Sequence, residues 1–557
     1  MKKLLVLALV SLTVFSLEPD WSDSTVIKPW TNRENVYQLN EADFKEVTNK
    51  GLIHTVSYPI SVTGLLIPYE PVVNYFKNED KTWFEKILQS VGESTTGIKS
   101  ESDLYKWLGL NTYNESTASG IYNIPRPDNF MPGHRMGTTI IETKNGKGLT
   151  FSCAACHTAN LFGTTVMGLT NKVPQANKLF VMAKKTIPLI SPKMFKKFTH
   201  ATNEEVAMYK RTKSNLRSVG AIKPQSLGLD TSFPQVALSL ARRKNDSDAT
   251  KSRVFEVFPR HNALSNTVAD SKPMPWWTLK YKTRWLADGS IVAGNPIYTN
   301  FLWNEIGRGA DLKELQKWLE DNQQKVRELT AAAFATTPPA WTDFFPESSI
   351  DLAAAKRGEK TYIQSCKKCH GHYEKRWSLD GAQELSVTEQ IKTTGVLFHS
   401  KTPVLDVGTD PKRYEGIKHF ASALNNLNIS KYMETVVEPQ KGYIPQPLDG
   451  VWSRYPYLHN NSIPNLCELF KAPKDRVKTF YQIPSENRES DFDSECVGFP
   501  IGDAIPNKRK VKEAFFNTTK SGMNNSGHYY RIFTNKDGSE RYTSAQKRDL
   551  IVYLKTL

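Results

Sequence analysis

The chain of 557 residues reads as mainly α with extensive loops and few short β-hairpins, arranged as two domains around a repeated motif. Three observations carry that reading. The five-residue spacing Cys-x-x-Cys-His occurs twice, as Cys153-Ala154-Ala155-Cys156-His157 and Cys366-Lys367-Lys368-Cys369-His370. Helical periodicity precedes the second copy and recurs at the C-terminus. Between the copies, Pro338-Pro339 breaks the chain.

The repeated spacing attaches c-type haem: two cysteines form thioethers with the haem vinyl groups, and the adjacent imidazole becomes an axial iron ligand. A chance match is expected about once in a thousand chains of this composition. Structural zinc would need two further N or S ligands per pair and makes no use of a His directly after the second Cys. Two covalently attached haem c groups are therefore the expected cofactors, carried by two cytochrome c-like haem domains. A Ca2+ ion is the one further cofactor left open.

Taken in order, Lys2 and Lys3 precede an apolar run from Leu4 to Phe15, with small-enough residues for cleavage near Ser16, so residues 1–16 read as an export signal. Haem is attached to c-type proteins outside the cytoplasm, which fits a periplasmic or secreted location. No later stretch approaches the ~20 apolar residues of a membrane span, so no transmembrane anchor is expected. Residues 17–340 form the expected N-terminal haem domain. There, alternating β-branched residues around Asn145-Gly146 predict a hairpin leading into the first motif. Residues 20–130 and 200–300 are rich in Pro, Asn and aromatics and predict loops around the cofactor.

Residues 311–334 predict one strongly helical segment, since Leu312, Leu315, Trp318, Leu319 and Val326 recur near helical spacing. The proline pair stops it. Residues 341–557 form the expected C-terminal domain. Ser348 or Ser349 can cap a helix over 351–364 that delivers the second motif, and residues 544–557 predict a closing helix, the arrangement of a small cytochrome c domain.

The formal net charge of +16 favours acidic partners. The basic residues are spread along the chain, so nucleic-acid binding is not implied. Cys467 and Cys496 remain after the haem motifs and predict a disulfide in an oxidising compartment.

Function turns on the second axial position of each iron. Two strong protein ligands leave electron transfer, whereas an open position permits O2 or peroxide chemistry. For the second haem the candidates are His528, His459 and Met523, with His528 favoured by its Gly-flanked loop just before the closing helix. For the first haem, Met167, His134 and His261 are conceivable, and none stands out.

Several blocks resemble a known family. They are residues 58–69, the segment from Ser271-Lys272-Pro273 to Trp276-Trp277, residues 300–309, Leu448-Asp449-Gly450-Val451-Trp452, and residues 457–466. They look like the dihaem rubber oxygenases, within the wider superfamily of bacterial dihaem cytochrome c peroxidases. The resemblance implies an N-terminal haem that activates O2 with His157 proximal and no protein ligand opposite, and a C-terminal haem held by His370 and a distal His, matched best by His528. It also implies catalytic roles for Trp277, beside the active haem, and for the aromatic Trp276. The chain departs from the pattern in being shorter and in reading Tyr443-Ile444-Pro445-Gln446-Pro447 where relatives more often carry basic residues, which leaves the substrate open.

The sequence thus predicts an exported haem-dependent oxidoreductase, dioxygenase-like, acting on an apolar unsaturated substrate. A dihaem peroxidase that reduces H2O2 with electrons from a small redox partner cytochrome is the enzyme alternative. A plain dihaem electron carrier is the non-enzyme one.

Overall fold

A computed structural model describes residues 15, 18–57, 66–77, 98–128, 130, 133–220, 222–230, 235–236, 239–240, 268–419 and 421–557. The expected export signal, apart from Phe15, and His261 lie outside the described residues, as does most of the 58–69 block. Among the described residues the architecture is mainly helical, with short antiparallel ladders and no barrel. No helix among them is long and apolar enough to cross a membrane.

The predicted hairpin forms from strands Thr138–Thr143 and Gly146–Phe151, and Ile67–Pro68 adds a third strand. A second hairpin, Thr158–Leu161 with Thr164–Met167, follows the first motif directly. Residues 311–334 divide into two helices, Leu312–Asp321 and Gln323–Ala335. Asn322, at φ −127°, breaks the expected single helix and donates its side-chain amide to the Trp318 carbonyl at 2.8 Å. A local side-chain bond of this kind competes with helix continuation.

The helix before the second motif is Leu352–Ser365. Its cap is Asp351, whose carboxylate accepts from the Ala354 N–H at 2.9 Å, rather than Ser348 or Ser349. Ser349 instead accepts the Trp341 indole N–H. The closing helix is Ser544–Lys555, started by a reciprocal capping box between Thr543 and Gln546. These two helices cross at Gly358, where a Cβ would stand 2.0 Å from the Asp549 carbonyl oxygen. Arg357 clamps the same crossing through two hydrogen bonds to the Asp549 carboxylate.

Two large hydrophobic cores lie beside one another. One gathers Trp276, Trp285, Ile291, Phe301, Leu315 and Leu427. The other gathers Leu161, Trp277, Trp341, Tyr362, Trp452 and Tyr553. The Pro338-Pro339 break does not separate them. Residues from 417 to 437 pack in the first core, and strand Val436–Val437 pairs with Ile291–Ala293. In exchange, the second hairpin and Trp277 pack in the second core. Tertiary pairing therefore crosses the boundary expected at residue 340.

Candidate functional site

Each Cys-x-x-Cys-His motif folds as one short helical turn, Ala154–His157 and Lys367–His370, on the wall of its own cavity. Residues three apart share a helix face, so the turn presents both sulfurs to one side. Cys153, Cys156, Cys366 and Cys369 are free thiols, and Cys467–Cys496 is the expected disulfide.

The C-terminal cavity is walled by apolar side chains including Leu405, Val407, Ile444, Leu469 and Phe533. Within it the His370 and His528 rings stand 5.9 Å apart between centroids. A metal bound by two imidazole nitrogens at about 2.0–2.1 Å each sets ring centroids about 6 Å apart. The gap therefore fits one iron. His370 Nδ1 lies 2.7 Å from the Gln446 carbonyl, to which it donates, leaving Nε2 for the metal.

His528 is delivered by a loop clamped against residues 407–410. Its N–H donates to the Val407 carbonyl at 2.9 Å, Ser526 Oγ donates to the Gly408 carbonyl at 3.0 Å, and Arg476 donates to the Gly527 carbonyl at 3.0 Å. Gly527, at φ +75°, passes so close to Gly408 that a Cβ would stand 2.3 Å from its backbone. Burial lowers His370 to about 4 and His528 to about 3, which keeps both rings in the neutral, metal-binding form. His459 lines the same cavity but lies flat on Tyr443, with centroids 4.0 Å apart. Met523 is buried in the second core and is not among the lining residues.

The N-terminal cavity differs in its donors. His157 is the one histidine among the described residues that line it, and Met274 the one methionine. Burial lowers His157 to about 4, opposed by the Met274 backbone. Trp276 stacks on the His157 ring at 4.9 Å, and Leu279, Trp285, Ile291, Ile297 and Trp303 supply an apolar wall. His134 lies elsewhere, 3.2 Å from the Tyr69 hydroxyl and 3.7 Å from Glu101. Met167 ends a hairpin strand in the first core and does not line the cavity.

Trp277, expected beside the reactive haem, is not among the lining residues of either cavity. It is fully buried in the second core and donates its indole N–H to the Asp449 carbonyl at 2.9 Å. Consecutive residues of the short helix Trp276–Tyr281 point to different sides, which divides the two tryptophans. Two further features escaped the sequence reading. Gln446 orients His370 through its backbone, which no side-chain pattern signals. Lys272, Met274 and Ala287 line both cavities and form the partition between them.

Paired thiols and an imidazole on a cavity wall are the donor set of covalently bound haem c. Comparison with known proteins agrees: a family described as RoxA-like, cytochrome c-like matches residues 442–481. That segment contains Gln446 and much of the C-terminal cavity wall, including Leu448, Arg454 and His459. The match supports a RoxA-like haem protein. The chain is also similar to two uncharacterized proteins of Sinorhizobium fredii (strain NBRC 101917 / NGR234). It is 28% identical to y4iJ over 273 residues, 40% of this chain and 41% of y4iJ. It is 27% identical to y4iM over 241 residues, 39% of this chain and 51% of y4iM. The chain thus spans about half the length of these relatives.

Proposed function

We propose that the protein is an exported dihaem c-type oxidoreductase, in which the N-terminal haem is the reactive centre and the C-terminal haem transfers electrons. The observation that carries this reading is the unequal histidine endowment of the two cavities: His370 faces His528 in one, whereas His157 is the one histidine among the described residues that line the other. Bound haem would supply an iron that binds O2 or peroxide and exchanges electrons. His157 would hold that iron, with its ring fixed by Trp276. Leu279, Trp285, Ile291, Ile297 and Trp303 would exclude water and present a surface suited to an apolar, unsaturated substrate. Together with the RoxA-like match, this favours a dioxygenase-like reaction of the rubber-oxygenase type.

The peroxidase alternative would gain from a Met opposite His370, and Met523 lies away from that cavity. The test uses the purified holoprotein. Cyanide or imidazole should perturb the spectrum of one haem of two. Polyisoprene with O2 should yield cleavage products, while H2O2 with a reduced cytochrome should not be consumed. Peroxide consumption without polyisoprene cleavage would establish the peroxidase, and no perturbation with no turnover would leave an electron carrier.

A further inference from the structure

The partition between the cavities carries three basic side chains, one fully buried and two half-buried. Lys272 is half-buried and lines both cavities, Lys282 is fully buried and lines the N-terminal one, and Arg454 is half-buried and lines the C-terminal one. Their hydrogen bonds go to neutral oxygens. Lys272 Nζ donates to the Arg454 carbonyl at 3.1 Å and to the Pro456 carbonyl, Lys282 Nζ to Gln446 Oε1 at 3.0 Å, and Arg454 to the Pro447 carbonyl at 2.5 Å. None of the three forms an ion pair with a described residue; the nearby Arg413 is different, standing 3.7 Å from Asp288.

The Asp449 carboxylate supplies a partial counter-charge to Arg454; burying a cation that is not fully compensated is costly, by several kcal/mol in real proteins. Burial, with the neighbouring Arg454 charge adding, lowers Lys272 and Lys282 to about 7. Such a cluster is expected to face an anion. Haem carries two propionate carboxylates on one edge, and this partition is the cationic surface shared by the two cavities.

We infer that Lys272, Lys282 and Arg454 are the counter-charges of the haem propionates, so that both haems turn their propionate edges to the partition and Lys272 serves the two together. The inference rests on the two-haem reading above. It assigns the three side chains a binding and positioning role, and it orients each haem: vinyl edges at the motif cysteines, propionates toward Lys272. Their charge also opposes the extra positive charge of ferric iron, so it holds the reduction potentials up.

The test is spectroelectrochemistry of the holoprotein with covalent haem counted per chain. Lys272→Met should lower the midpoint potentials of both haems, Lys272→Arg should restore them, and Lys282→Met should lower that of the N-terminal haem alone. Unchanged potentials in Lys272→Met at full haem content would overturn the inference while leaving the two-haem reading intact. Fewer than two haems per wild-type chain would overturn the reading itself. If Lys272→Met yields no folded protein, Lys282→Met decides: an unchanged N-terminal potential refutes the assignment.

Discussion

The indole of Trp276 stacks on the imidazole of His157, with centroids 4.9 Å apart and planes 27° from parallel. Its neighbour Trp277 turns into the other core and holds the Asp449 carbonyl. Replacing each should therefore have a different consequence. Trp276→Leu should change the spectrum and ligand affinity of the N-terminal haem, because the His157 ring loses the surface that fixes it. Trp277→Phe should leave the spectra unchanged and cost about 1 kcal/mol of stability, since the Asp449 carbonyl loses its shorter donor and keeps the longer one from Arg454 at 3.5 Å. Equal spectral effects in the two variants would contradict this division.

A second expectation concerns the facing rings of His370 and His528. His528→Ala should convert one haem from low-spin to high-spin, and added imidazole should restore the low-spin spectrum by filling the gap. Absorption and magnetic circular dichroism read both states. An unchanged spectrum would move the ligand to His459.

The helix crossing at Gly358 supplies a stability prediction. A Cβ there meets the Asp549 backbone at 2.0 Å, and backbone cannot move aside as a flexible side chain can. Gly358→Ala should destabilise the protein by about 1–3 kcal/mol, seen as a lower denaturant midpoint, despite alanine's better helix propensity. A stabilised variant would show that the helices part without cost.

Asp270 gives a pH dependence. Burial raises its carboxyl to about 7, with the Gln225 N–H at 2.7 Å opposing and the Asp230 charge adding. An unfolded Asp titrates near 3.9, so between about pH 4 and 7 the folded chain holds a proton that the unfolded chain has lost. This contribution is fully present below about pH 4 and is lost as pH rises through about 7. Asp270→Asn should match the wild type near pH 4 and exceed its stability at pH 8, by up to about 4 kcal/mol. Urea midpoints of both chains at pH 5 and pH 8 measure the difference, and a constant gap between them would contradict the assignment.

Much of the site was legible because haem attachment is a local, covalent demand: both cysteines and the imidazole must sit within five residues. The helix before the second motif and the closing helix were legible from local periodicity, although the cap of the former proved to be Asp351 rather than Ser348 or Ser349, and the hairpin before the first motif follows from β-branched alternation. His528 could be singled out from its glycine neighbours, though the facing of its ring with His370 depends on contacts with residues 407–410, more than a hundred positions away in the chain.

What the sequence by itself determined, then, was the chemistry of attachment and the elements next to it, since those depend on neighbours along the chain. The tertiary structure alone decided which of two adjacent tryptophans meets His157, that Met523 and Met167 stay in the cores, and that segments from both sides of Pro338-Pro339 exchange partners. It also brought Lys272, Lys282 and Arg454 to one partition. The reason is physical: side-chain direction and burial are set by packing between distant segments, and a buried cation becomes recognisable only when the surfaces on both sides of it are known.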